Sequence, residues 1–327
     1  MNKENDLLGF DQTEKPETSS AGTVNQENVP QTESGDTPNN ESGKEEKEQQ
    51  KSTPSDEITV HAPNGKYPIV LLFGASSSGK TMTLVRLAKY LRDKESCSVS
   101  VDSNFCNDVW EYNENAKKFN SMLATTTALE GTGRNDFLLI KIADRFGKVI
   151  CYILEGAGED YFPSRKGYDK SQIPFPPYMT GIFNGNNKKI WIFLTEPKWE
   201  TSYEDKAEYV RRIQFCKRQY MSSKDKAIIL YNKIDKSDYV YGAGKVHKEN
   251  AIQGCNNEYP GLFQTFKNES LWPFKEPYTC KFVPFSTGIF GDIIPGKPQH
   301  YDASNDAYPE TLWGNYSAVG TNGAFYP

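Results

Sequence analysis

The stretch GASSSGKT, residues 74–81, sets two glycines ahead of a lysine and a threonine in the spacing G-x-x-x-x-G-K-T. Gly74 and Gly79 let the chain between them (Ala75, Ser76, Ser77, Ser78) curl so that successive backbone N–H groups face one anion. The helix that follows, from about Met82, adds its positive end. The Lys80 ammonium suits the outer phosphates of a nucleotide, and the Thr81 hydroxyl is a hard oxygen ligand of the kind Mg²⁺ takes. The competing reading is an ordinary Gly/Ser-rich turn between a strand and a helix.

The stretch YNKID, residues 231–235, speaks to the base of such a nucleotide. Guanine presents its N1–H and 2-amino donors side by side, and one carboxylate, that of Asp235, accepts from both. Asn232 is placed to bond the base edge and tie this loop to the phosphate loop, while the Lys233 stem covers the ring face. Adenine lacks both donors and would leave Asp235 unpaired, a discrimination of about 10⁴-fold or more. A plain surface turn is the alternative.

Between these motifs lies ILEGAGEDYF, residues 153–162, with Glu155, then Gly158, then Glu159. It is either a Gly-rich turn of no consequence or a carboxylate-x-x-Gly element. In the second case Gly158 offers a backbone N–H to a terminal phosphate, and Glu155 holds Mg²⁺ through a water.

Elements that position these residues are visible in the pattern. YPIVLLF (67–73) reads as a buried strand, and the stretch from residue 82 carries Leu84, Leu87, Tyr90 and Leu91 at helical spacing. Residues 136–143 and 148–155 read as an antiparallel hairpin about a DRFG turn. Strands follow at 188–194, 226–232 and 278–285, with an amphipathic helix at 203–221. Strands alternating with helices predict an α/β fold: three layers, a mostly parallel six-stranded sheet with helices on both faces. Residues 97–123 form an insertion with a strand and a helix. Residues 61–327 make one domain, with a C-terminal extension from about 289 that holds one short helix near 308–313.

With GASSSGKT, EGAG, NKID and FST in that order over residues 67–288, the chain resembles a Ras-like P-loop GTPase domain. The wording of 137–162 is most similar to bacterial double-GTPase-type proteins. The resemblance implies GTP and GDP as ligands, with Mg²⁺ held by Thr81, Glu155 and a threonine of a first switch. Thr125, Thr126, Thr127 and Thr132 all qualify for that place, and Thr127 is favoured. It also implies Lys80, Gly158 and Glu159 at the reaction, and Ser286 and Thr287 presenting backbone N–H groups to the guanine O6. Two departures stand out: Glu155 replaces the usual aspartate, and Glu159 replaces the glutamine that orients water. A carboxylate at Glu159 repels the γ-phosphate, so slow hydrolysis is expected.

The implied activity is a nucleotide-dependent switch meeting its partner through loops 124–135 and 156–179. The alternatives are a non-hydrolysing nucleotide-binding scaffold and a P-loop ATPase, the latter disfavoured by NKID. The aromatic stretch 161–179 reads equally as a partner surface or as an extended switch packed on the sheet. Arg134 and Arg165 read as solvated loop residues, and the Lys and Arg side chains of 206–217 as the wet face of a helix.

Composition bounds these readings. Residues 1–57 carry fourteen acidic and five basic side chains, so the overall −5 belongs to this stretch, which leaves the remainder at +4. A disordered acidic tail over 1–60 is expected, and its apolar island DLLGF (6–10) reads as a docking motif or a chance cluster. The near-neutral remainder lacks the basic footprint of nucleic-acid binding. No run is long enough to cross a bilayer, no signal peptide is evident, and six cysteines without C-x-x-C spacing suit the reducing cytoplasm. Three scattered histidines make a zinc site a poor reading.

Overall fold

The computed structural model describes residues 58–106, 110–125, 137–163, 170–269, 277–290, 301–302 and 305–320. Residues 1–57, Thr126, Thr127, Thr132, Arg134 and Arg165 lie outside the described residues, whereas Ile58, expected in the tail, is buried in the core. The strand β1 (Ile69–Phe73) is buried at every position, as an uninterrupted apolar run requires of a strand covered on both faces. It leads through the Gly-rich loop into α1 (Lys80–Asp93), whose Leu84, Leu87, Tyr90 and Leu91 face the core. Then come β2 (Ser98–Val101), α2 (Trp110–Ala124), β3 (Leu138–Ala143) and β4 (Val149–Glu155). The turn between β3 and β4 is fixed by Asp144, whose Oδ1 accepts from the backbone N–H groups of Phe146 and Lys148, each at 2.9 Å.

The chain continues through α3 (Gly158–Tyr161), α4 (Pro177–Phe183), β5 (Lys189–Thr195), α5 (Tyr203–Tyr220) and β6 (Lys226–Tyr231). A small hairpin of β7 (Val240–Gly242) and β8 (Lys245–Val246) precedes α6 (Lys248–Glu258), α7 (Leu262–Thr265) and β9 (Cys280–Pro284). The two-residue strands β10 (Ile289–Phe290) and β11 (Tyr301–Asp302) pair antiparallel ahead of α8 (Ala307–Gly320).

The central sheet runs β2-β3-β4-β1-β5-β6-β9. Strands β4, β1, β5, β6 and β9 are mutually parallel, and β3 is antiparallel to both β4 and β2. The sheet therefore has seven strands where the sequence pattern predicts six. The added member is the strand of the 97–123 insertion, which joins the edge with Val99 opposite Ile142 and Val101 opposite Ile140. The C-terminal helix is also longer than expected, at fourteen residues. Gly314 depresses its intrinsic propensity, while Pro309 falls in the first turn, where proline is tolerated; Tyr308, Leu312 and Tyr316 recur every fourth position and are buried, so packing decides the outcome. Among the described residues no helix is long and apolar enough to cross a membrane.

Parallel strands end at one edge. Phe73, Glu155, Thr195, Tyr231 and Pro284 close β1, β4, β5, β6 and β9 there, so every motif read from the sequence leaves the sheet on the same side. The chain order reverses at β1, which lies between β4 and β5, and such a switch point opens the crevice that receives ligands in α/β sheets.

Candidate functional site

The loop after β1 is wrapped around its own lysine. Lys80 is buried, and its Nζ donates to the carbonyls of Gly74 and Ala75, each at 3.1 Å. Burial pushes the ammonium down to about 8, while the nearby carboxylates of Glu155, Asp160 and Glu159 act in the opposite direction. Gly79 adopts φ +86°, and a Cβ there would lie 2.5 Å from Asn232 Nδ2, so only glycine closes this turn. Ser76 and Ser77 remain exposed at the crest, whereas Ser78 is buried. Met82 is half-buried in the first turn of α1.

On one side of this loop stands the end of β4. Glu155 is only 2% exposed, and its Oε1 accepts the Thr81 hydroxyl proton at 2.6 Å. Gly158 opens α3 hard against the loop: a Cβ on it would meet the backbone N and Cα of Ser76 at 2.4 Å. Glu159 and Asp160 are half-buried, and Asp160 Oδ2 accepts from the Tyr178 hydroxyl at 2.8 Å. The buried Tyr161 ring lies 5.7 Å from Lys80 Nζ and 4.9 Å from the Phe73 ring.

A hydroxyl and a carboxylate in contact beside an anion-facing loop are the hard oxygen donors that Mg²⁺ takes. Among the described residues no group of three or more His, Cys, Asp or Glu side chains stands ready to hold a metal unaided. A cation between Thr81 and Glu155 would complete its shell with phosphate and water, which suits Mg²⁺. Of the four threonines weighed for a further ligand, Thr125 alone is described; it is exposed and follows α2 directly.

On the other side stands the loop after β6. Asn232 is fully buried, and its Nδ2 donates to the Ser78 carbonyl at 2.8 Å, while its Oδ1 has no partner among the described residues. Lys233 takes a left-handed conformation, φ 53°, that carries its Nζ to the Ser77 carbonyl at 2.9 Å and into an ion pair with Glu196. Asp235 stays exposed, on a short turn that begins where the Ile234 N–H donates to the Phe285 carbonyl at 3.0 Å. Ser286 and Thr287 are buried next in line, and Ser286 Oγ accepts from the Gly288 N–H at 3.2 Å.

The structure thus brings Gly74 through Met82, Glu155, Gly158, Glu159, Asn232, Lys233, Asp235, Ser286 and Thr287 to one edge of the sheet. Three contributors escape the sequence reading. Glu196 directly follows β5, and the shared edge of parallel strands would have pointed to it. Asp160 sits within the quoted motif but finds its partner, Tyr178, only through folding. Arg212 corrects the wet-face reading of α5, because it is fully buried. On the same helix, Lys206 pairs with Glu258, Lys217 reaches the Thr265 carbonyl, and Arg211 is exposed as expected. Within 161–179, Phe162, Phe175, Tyr178 and Met179 are buried, which favours the packed reading over a free partner surface.

No family model matches the chain, and no curated protein matches it. Among solved structures it is similar to the S. cerevisiae Ski7 GTPase-like domain bound to GDP and inorganic phosphate, at 13% identity and a TM-score of 0.37 over 79% of this chain and 51% of that one. The same domain bound to GTP gives 13% identity and a TM-score of 0.34, covering 76% of this chain and 50% of that one. This chain spans about half the length of those it matches, and so loose a superposition fixes no residue correspondence. The chain's own strand order, with a Gly-rich loop leaving β1 for α1, is that of an α/β fold built on a mostly parallel sheet.

Proposed function

We propose that this chain binds GTP and GDP with Mg²⁺, hydrolyses GTP slowly, and alters its affinity for a partner with the nucleotide bound. One observation carries the reading: Asn232 and Lys233 both bond to carbonyls of the phosphate loop, at Ser78 and Ser77, and so hold Asp235 in register with it. A ligand that satisfies both loops carries phosphates at one end and adjacent N–H donors at the other, as a guanine nucleotide does. The buried Asn232 Oδ1, without a partner among the described residues, adds a second polar atom to this side.

In this reading Lys80 neutralises the β- and γ-phosphate oxygens, and the Gly158 N–H meets the γ-phosphate. Thr81 and Glu155 hold Mg²⁺, with Thr127 as the proposed third ligand. The metal's contribution is to offset phosphate charge during transfer to water. Glu159 stands where a neutral amide would best orient that water, and its charge slows the step. The partner is proposed to meet loop 124–135, because Phe162, Phe175, Tyr178 and Met179 of the second expected loop, 156–179, are packed away.

A non-hydrolysing scaffold is the second reading, favoured by the carboxylates at Glu155 and Glu159. Competition of labelled GTP with ATP, followed by a single-turnover assay with Mg²⁺, separates the possibilities. GTP binding with slow phosphate release supports the enzyme, binding without release supports the scaffold, and equal displacement by ATP removes the guanine reading. Glu159→Gln is expected to raise the rate about tenfold if relief of repulsion reaches about 1.4 kcal/mol. Glu155→Gln still accepts from Thr81, so its effect should appear only with the metal: about tenfold weaker GTP binding with Mg²⁺, and no change with chelator.

A pH dependence follows from Lys80, whose ammonium burial holds near 8. Phosphates favour the charged form, so the lysine's value is higher in the complex than in the free protein. Below pH 8 the group is already charged and affinity is flat. Above it each binding event takes up a proton, and affinity falls about tenfold per pH unit. Lys80→Arg stays charged throughout, and nucleotide titrations between pH 7 and 9 should show a shallower fall for it, whatever its absolute affinity.

A further inference from the structure

Arg212 lies on the inward side of α5, fully buried, and reaches the chain on both sides of residues 164–169. Its Nε donates to the Tyr161 carbonyl at 3.0 Å, its Nη1 to the Ile173 carbonyl, and its guanidinium sits 3.7 Å over the Phe175 ring. Tyr161 closes the single turn of α3, and Gly158 at the other end of that turn abuts Ser76 of the phosphate loop. A second fastening lies alongside: Lys170 pairs with Asp205 and, at 3.7 Å, with Glu208, both on α5, and its ammonium rides 5.0 Å over the Phe162 ring.

We propose that Arg212 is a positioning residue that fastens residues 158–163 and 170–175 onto α5 in both nucleotide states, so that Gly158 stays on the phosphate loop whether or not a γ-phosphate is present. The states compared rest on the nucleotide reading above; the fastening itself does not. A ligand shifts a conformational equilibrium only by the difference in its contacts with the two states. Here that difference is one N–H to one phosphate oxygen, less the repulsion between Glu159 and the γ-phosphate. Moving these residues would instead withdraw two carbonyls and an aromatic face from a buried cation, and the moved state would have to replace all three contacts. Stripping the buried cation costs more than the one phosphate contact returns. These residues therefore stay in place, and nucleotide-dependent change falls to other parts of the site.

Hydrogen exchange of the full chain, followed in peptides spanning 158–163 and 170–176, tests this. With GDP and with a non-hydrolysable GTP analogue, the parent should show protection in these peptides equal within about twofold. In Arg212→Met both peptides should exchange at least about tenfold faster with GDP, and analogue affinity should fall about tenfold while GDP affinity holds within about twofold. Phe175→Leu keeps the cation and both carbonyls and should loosen the same peptides more mildly, so it carries the test if Arg212→Met fails to fold. Protection in the parent that changes more than about tenfold between nucleotides overturns the proposal. So does Arg212→Met with unaltered exchange, or with equal loss of both affinities alongside a lowered Tm. If the chain binds neither nucleotide, the guanine reading fails, while exchange of the nucleotide-free parent and variant still judges the fastening.

Discussion

Lys80→Ala should abolish measurable binding of both GTP and GDP, a loss of at least about 100-fold, while the protein stays folded. The ammonium is buried in a loop whose carbonyls at Gly74 and Ala75 hold it over the place a phosphate chain would take. Burial destabilises its charge, as the downward shift to about 8 records, so its removal takes little from the folded state. What the alanine removes is charge that only a bound anion rewards. Calorimetric titration together with a thermal melt checks both halves. A variant with the parent's affinity would show that GASSSGKT is an ordinary strand-to-helix turn.

Asp235→Asn should exchange guanine for xanthine, with the preference for GTP over XTP reversing by about 10³-fold or more. Asp235 is exposed, yet Asn232 and Lys233 fix its loop to the phosphate loop. A carboxylate there accepts from the N1–H and the 2-amino group of guanine. An amide offers a donor instead, which suits the carbonyl at position 2 of xanthine and leaves the guanine amine facing another donor. Competition between labelled XTP and GTP reads the swap directly. Unchanged selectivity would remove Asp235 from base recognition and leave NKID as a surface turn.

Much of this arrangement is legible in the sequence because its signals are local. IVLLF, a short apolar run ahead of a Gly-rich loop, reads as a strand covered on both faces, and a glycine must stand at Gly79 where φ is +86°. The β2 strand is harder to read: SVSV is short, polar on one face and placed at the sheet edge, so little apolar patterning marks it. Its pairing with β3 supplies what its composition does not. Arg212 misleads for the opposite reason. It stands among Lys206, Arg211 and Lys217 on an amphipathic helix, and charge alone puts it in water. Its burial depends on the carbonyls of Tyr161 and Ile173, separated from it by 51 and 39 residues, which no local pattern reports. The Glu196 partner of Lys233 is non-local in the same way. Readings that turn on residues beyond those described, Thr127 above all, find no counterpart here.

The bonds from Asn232 to Ser78 and from Lys233 to Ser77 make the two ends of the crevice one rigid caliper. A caliper measures length as well as chemistry. Guanosine and pyrophosphate offered as separate fragments must each give up translational and rotational freedom to occupy their own jaw, whereas a joined nucleotide gives it up once. On the guanine-nucleotide reading the spacing of the jaws would act as a chelate: affinity for the intact ligand would exceed what its two halves suggest, and a linker of the wrong length would forfeit that excess even with base and phosphates both correct.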